Sequence, residues 1–469
     1  MPTKARYIID QIKGHCLRFL SPDACRSLVE VKLAVGGFAD ILGLREPCLA
    51  LPDDLSAGVV PEHPCEVPFN GTQITVWNRV PVPEGDGWTA IPDHQRPLWY
   101  RHESGTVIPA FDLVGNLFNL LTFREELEIS RRDRHDRFIA GYSPRLNKGL
   151  LEKPAFNEGA AVLAAAALGL RHEGYPRLNM DNHVRPPVVV LSHDCDLLRG
   201  NDLWTQGARM YRMLAPVRRG RLPHLQNVRS ILRNAVRPYD HYLDNIRRLV
   251  DLESSIGYRS SFYLLNGAGG RYGARSRSPL IEKAAAQIPE TWPVGMHYNY
   301  DTYRSEKSFA AQKIELEAVA KRLVRSGRAH YLRLDPESSL RFWASQGITI
   351  DETAGYPDRV GYRCGIGGCF QPYEPKRGSC VLDIWEVPLV VMDTTLSEQY
   401  GADAVDAFDW ILGHLKRVGG AVSLLYHPDQ YLNPEFPETY DLYPRLLEVC
   451  RKHGAVSKTA VELALSLDR

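Results

Sequence analysis

At 469 residues the chain is too long for one ordinary domain and has room for two or three. Apolar residues make up 44% and charged residues 24%, so a large core can be buried. Lys and Arg total 57 against 56 Asp and Glu, a balance that removes any global argument for nucleic acid or an anionic membrane surface.

The chain opens with two helical patterns, over residues 5–20 and 23–35. Charges at Lys4, Arg6, Asp10, Lys13 and Arg18 interrupt any signal-peptide core, and the longest apolar run, near 160–170, is too short to span a bilayer. The nine cysteines, odd in number and scattered, read as reduced thiols, so a cytoplasmic location is expected. Cys364, Cys369 and Cys380 form one cluster and read as thiols near a loop rather than a structural zinc site. A Pro-rich stretch over 47–97 carries short strand-like runs. Residues 108–128 have apolar positions at helical spacing and predict one amphipathic helix. The tract RRDRHDRF at 131–138 predicts a charged loop, and 179–187 a linker.

After Pro187 the pattern changes. Strands are expected at 188–191, 260–265, 294–297, 329–334, 348–351, 387–393 and 421–427, with helices at 242–256, 306–325, 336–346 and 402–418. Alternation of this kind predicts an α/β fold with a parallel sheet, whose functional groups sit at the C-terminal ends of strands. Polar residues recur at those ends: Asp194 and Asp196, His297, Arg333 and His427. Carboxylate and imidazole ligands, a separate base and an acid are the side chains a metal hydrolase requires. Taken alone, an Asp-x-Asp after a strand is more often a cap or turn, and His193 and His330 read as packed histidines.

These motifs together resemble the polysaccharide deacetylase (NodB homology) family over about residues 187–446. The carriers are LSHDCD (191–196), MHYNYDTY (296–303), HYLRLDP (330–336) and LLYHPD (424–429). The resemblance implies a deformed (β/α) barrel and a metal-dependent hydrolase acting on carbon–nitrogen (non-peptide) bonds. It would remove N-acetyl groups from an amino sugar or polysaccharide precursor. Asp194 is the implied general base, Asp196 and His297 metal ligands, Arg333 the partner of the base, and His427 the general acid. The family's second motif has a histidine where this chain has Asp301, so Asp301 and His330 compete as third ligand of a divalent ion, zinc by type. Arg363 in GYRCG resembles a pocket-lining segment. FREELE, RDRHDRF and KGLLEKPAFNE resemble a domain that precedes certain bacterial deacetylases.

The expected organisation is a smaller α+β accessory domain over 1–184, then the barrel over 185–469 with an Arg-rich insertion at 209–248. That insertion holds Arg209, Arg212, Arg218, Arg219, Arg221, Arg229, Arg233, Arg237, Arg247 and Arg248 against the acids Asp240 and Asp244. The insertion reads either as a solvated helical face whose charges pair with acids elsewhere or, since planar, bidentate guanidiniums suit phosphate, as the holder of a diphosphate carrier; the expected partner is an N-acetylated sugar, on a diphosphate in the second reading, with no nucleic acid and no transmembrane segment. The competing readings are hydrolysis of a non-sugar amide or cyclic imide on the same barrel, and a non-catalytic glycan-binding or scaffold protein.

Overall fold

The computed structural model describes residues 4–44, 46–55, 58–92, 96–180, 184–200, 207, 210–211, 241–267, 269–374, 380–433 and 436–465. Most of the Arg-rich insertion, Arg209 through Arg237, lies outside them; Arg247 and Arg248 fall within the helix His241–Ser255.

Eight parallel strands build the second half: β1 (Val188–Cys195), β2 (Ser260–Leu265), β3 (Val294–Tyr298), β4 (Ser326–Ala329), β5 (Ile350–Asp351), β6 (Trp385–Glu386), β7 (Val391–Met392) and β8 (Ala421–Leu425). They pair in chain order from β1 to β6, and β8 pairs β1 on one side and β7 on the other. The unpaired edges, β6 and β7, are joined by only the four residues between Glu386 and Val391, which keeps them close. The sheet is therefore a deformed (β/α) barrel with one open seam. A short strand, Val456–Ser457, also runs beside the start of β1.

Burial on both faces explains why the long strands read as continuous apolar runs: every residue of β1, β2, β3 and β8 is buried. Two glycines are required by close approach. A Cβ at Gly295 would meet the Tyr263 ring at 2.5 Å, and one at Gly327 the Tyr298 ring at 2.2 Å. Their absence of a side chain lets these aromatic rings cross neighbouring strands.

The first half carries a five-stranded mixed sheet, in the order Leu33–Gly36, Leu49–Pro52, Val107–Pro109, Trp99–His102 and Trp88–Ile91. The single helix expected over 108–128 is instead three elements. A strand, Val107–Pro109, precedes a helix, Leu113–Leu121, whose first turn is capped by Asp112 Oδ1 accepting from the Gly115 N–H at 2.7 Å. Phe123, at φ 53°, then breaks the path before Arg124–Glu128. Short apolar runs do not distinguish a strand from a helix by period alone, which is why the sequence reading merged them.

The halves are welded. The helix Ala155–Glu173 is buried from Ala155 to Gly169. Its Asn157 donates to the carbonyls of Gly367 (2.9 Å) and Gly419 (2.8 Å), and accepts from the Gly367 N–H. Its Glu158 accepts from the Thr75 N–H and pairs with His414 Nε2, both at 2.9 Å. One hydrophobic cluster runs through both halves, from Ile8 and Ile12 to Leu191 and Leu424. No helix among the described residues is long and apolar enough to cross a membrane.

Candidate active site

An open cavity of about 410 Å³ lies at the C-terminal ends of β1, β2, β3, β4, β7 and β8, and Asp194, Asp196, His297, His330 and His427 all line it. β1 delivers both aspartates: Asp194 is inside the strand, and Asp196 follows its last residue. Asp196 Oδ1 lies 3.0 Å from His297 Nε2, and Asp196 Oδ2 lies 3.7 Å from His330 Nε2. These are the only three Asp, Glu, His or Cys side chains among the described residues grouped closely enough to hold a metal ion, with one ligand atom from each within 4.8 Å of the others.

The ring of His297 is oriented from behind. Its Nδ1 donates to the Arg328 carbonyl at 2.9 Å, which leaves the Nε2 lone pair facing the cluster. Asp196 Oδ1 is buried and makes no hydrogen bond among the described residues, despite its short approach to His297. Burial works against the Asp196 charge, but His330 and His297 outweigh it and hold the carboxyl well below its usual range. Burial likewise opposes charge on His297, yet Asp194 and Asp196 raise its pKa. A lone-pair-rich, cation-seeking cluster of one carboxylate and two imidazoles fits a metal ion.

Asp301 does not reach this point, which corrects one of the two competing expectations. It is exposed on the turn Tyr300–Thr302, where Gln312 Nε2 approaches its oxygens at 3.2 and 3.3 Å. His330, the other candidate for the third ligand, joins the cluster. It is aimed by an unusual backbone: Tyr331 (φ 66°) and Leu332 (φ 53°) are both left-handed, a strained pairing for residues with a Cβ. Two contacts hold it. The Tyr331 carbonyl accepts from Arg137 Nη1 at 3.0 Å, and Leu332 packs with Leu389 and Leu425.

Arg333 does not meet Asp194, a second correction. Its guanidinium donates to the His135 and Tyr300 carbonyls, both at 2.9 Å, and stacks on Tyr300 and Tyr303. The residue against Asp194 is Arg328, fully buried in β4, with Nη1 2.8 Å from Asp194 Oδ1. Register explains it, since Arg328 lies opposite His297 across β3 and β4 and shares its face. Arg328 Nη2 also reaches Ser192 Oγ (2.8 Å) and Glu352 Oε2 (2.9 Å). Glu352 is pushed up to about 7 by burial, against the pull of Arg328, and also receives the Tyr263 hydroxyl.

His427 sits just beyond β8 with Nδ1 2.9 Å from Asp393 Oδ1, and its backbone N–H donates to Asp393 Oδ2 at 2.7 Å. Burial disfavours the imidazolium, but Asp393, helped by Asp196 and Asp194, raises it to about 10. His427 Nε2 lies 4.0 Å from Asp196 Oδ2, on the cavity side. Sequence reasoning missed Arg328 and Asp393. Asp393 was visible as an acid ending an apolar run, with nothing to name its partner.

Two further expectations change. Arg363 does not line this cavity; it is buried on Glu126, both contacts at 2.7 Å, beside the Arg145–Glu125 pair at 2.9 Å. The 131–138 tract is a charged loop as expected, with an internal Arg137–Asp133 ion pair, and Arg137 also reaches the cavity wall. His193 is a packed histidine, held by the Tyr426 carbonyl (2.7 Å) and Glu253 (2.8 Å).

Residues 69–168 match a family of unknown function (DUF7033). No curated protein matches the chain. Similar solved structures include a putative polysaccharide deacetylase from Mycobacterium smegmatis, at 14% identity and TM-score 0.38, covering 60% of this chain and 92% of that one. The chitin deacetylase of the fungal pathogen Colletotrichum lindemuthianum aligns at 13% identity and TM-score 0.31, over 60% of this chain and 88% of that one. A family 4 carbohydrate esterase from Streptomyces lividans gives 12% identity and TM-score 0.27, over 58% and 92%. At TM-scores this low the likeness extends to no residue's role.

Proposed function

We propose that the chain is a metal-dependent deacetylase that hydrolyses the N-acetyl group of an amino sugar. The observation that carries this is the placement of two opposed proton-handling groups about one cation-seeking cluster. Asp194 Oδ2 lies 3.8 Å from His297 Nε2, and His427 Nε2 lies 4.0 Å from Asp196 Oδ2. One group is a carboxylate held by a guanidinium, and the other an imidazole whose pKa a carboxylate raises to about 10.

In this reading Asp196, His297 and His330 hold the metal. A bound divalent ion, zinc by donor type, supplies polarisation of the acetyl carbonyl and acidification of water. Asp194 takes the proton of the attacking water, and Arg328 keeps that carboxylate paired and aimed. His427 gives its Nε2 proton to the departing amine, and Asp393 maintains the charge on the ring. Residues 1–184 are proposed as an accessory domain that completes one cavity wall through Arg137, with residues 185–469 as the catalytic barrel.

The test is metal analysis of the purified chain beside acetate release from a panel of N-acetylated sugars. Asp194→Asn is expected to keep the metal and lose turnover, and Asp196→Asn to lose both. Full activity in both variants would remove the mechanism. Metal without acetate would favour a different amide or imide substrate, and absence of metal a glycan-binding scaffold.

Ligand choice has its own test. His330→Gln is expected to weaken zinc affinity by on the order of 100-fold, at least as much as losing an outer-shell partner. Asp301→Asn should leave affinity within about twofold of the parent by the same comparison. Competition with a chromophoric chelator reads both, and the reverse ranking would return Asp301 to the site.

A further inference from the structure

The three side chains of the cluster are not held alike. Asp196 follows a strand whose every residue is buried, and His297 lies within another. His297 is also oriented through Nδ1, which donates to the Arg328 carbonyl at 2.9 Å. Metal-binding histidines ordinarily have such a partner behind the ring. His330 has none: its Nδ1 is buried and makes no hydrogen bond among the described residues. It also lies beyond the end of β4, where the chain enters the turn through left-handed Tyr331 and Leu332. Residues with a Cβ take that path only where their surroundings impose it.

The turn is gripped from outside the barrel. In the first half, the tract at 131–138 is organised around Asp133. Its Oδ1 accepts from the His135 and Arg137 N–H groups at 2.9 and 3.0 Å, and its Oδ2 from Arg137 Nε and Nη2 at 2.9 and 2.8 Å. The guanidinium aimed in this way donates from Nη1 to the Tyr331 carbonyl at 3.0 Å, across 194 positions of chain. The buried His135 ring packs 4.7 Å from the Tyr331 ring. Arg333 closes the grip from the other side, with Nε on the His135 carbonyl at 2.9 Å. Two residues of the turn, Tyr331 and Arg333, are thus tied to one short loop of the first half.

We propose that Arg137, held by Asp133, is a positioning residue for the metal: it fixes the Tyr331 turn and through it His330, so that the first half sets the affinity of the barrel for its ion. This rests on the metal-dependent reading and deepens it. The hydrogen bond missing behind the His330 ring is replaced by one to the backbone of the next residue. The accessory half then does more than wall the cavity, because it completes the support of one ligand.

The experiment is a double-mutant cycle on the full chain, read as zinc affinity by competition with a chromophoric chelator. Arg137→Met is expected to weaken binding by roughly tenfold or more, the range for an outer-shell partner. In the His330→Gln background the same substitution should change affinity by less than about twofold, because a residue that acts through His330 then has nothing to act on. A general loosening of the fold would lower both alike. Asp133→Asn leaves Arg137 present but removes the charge that aims it, and should give a smaller loss in the same direction. It carries the test if melting temperatures show Arg137→Met to be unfolded. Hydrogen exchange on the metal-free protein should rise at residues 330–333 in the variant and stay at the parent level in β1 and β3. Affinity unchanged in both Arg137→Met and Asp133→Asn, or equal losses with and without His330, overturns the positioning role and leaves the metal site standing. A parent chain that binds no zinc overturns the metal reading, and this proposal with it.

Discussion

Arg328→Met is expected to abolish turnover and destabilise the fold by about 3–5 kcal/mol, the range for removing one partner of a buried ion pair. The guanidinium is fully buried and satisfies Asp194, Glu352 and Ser192 at once. Its loss leaves two carboxylates facing each other in a dry interior. Glu352, already raised to about 7 by burial against the pull of Arg328, would protonate more readily still. Arg333→Gln is the control. That side chain is half-buried and holds two carbonyls, so its loss should cost about 1–2 kcal/mol and leave the base untouched. Urea unfolding and acetate release on the two variants give the comparison. If Arg333→Gln abolished activity while Arg328→Met retained it, the partner of the base would be misassigned.

Asp393→Asn should lower kcat/KM by about 10²–10⁴-fold near neutral pH and move its alkaline limb downward. The sign follows from the role. A general acid works only while protonated, so activity falls as pH rises through the pKa of His427. That value is about 10 because Asp393 outweighs the burial that would lower it. An amide keeps a similar shape and removes the charge, so the largest influence raising the pKa of the ring is lost and that pKa falls. Stability follows the same linkage. His427 contributes stability that is fully present below its unfolded pKa, about 6.5, and is lost as pH rises toward 10. A pH–rate profile of the two proteins decides it. An alkaline limb unchanged by the substitution would assign that limb to another group.

Much of the barrel was legible because long buried strands announce themselves. β2 was expected over 260–265 and is found as Ser260–Leu265, and β3 and β8 differ from expectation only at their C-terminal ends. The misses arise where backbone departs from propensity. A strand over 329–334 was expected, but β4 ends at Ala329 and the chain turns through left-handed Tyr331 and Leu332. That shift of a few residues promoted Arg333 to a strand end and concealed Arg328, whereas His330, already a candidate ligand, falls within the cluster. Asp301 misled for a different reason. Residue spacing alone does not reveal that a short turn carries it away to Gln312. β5 and β7 fall inside the expected strands 348–351 and 387–393 but are only two residues each, and β6 was not expected at all, so the Asp393–His427 pair emerges only from the register of β7 with β8.

The weld between the halves limits how this protein can be divided or recombined. Arg137 reaches the cavity from before the barrel begins, and the helix Ala155–Glu173 lies against barrel elements through Asn157 and Glu158. A fragment starting near residue 185 would present the apolar bed of that helix to water and leave its mouth short of one wall. The two halves are thus bound to travel together through gene rearrangement. A change in what the mouth accepts can arise from substitutions in the first half, far along the chain from any residue that handles a proton.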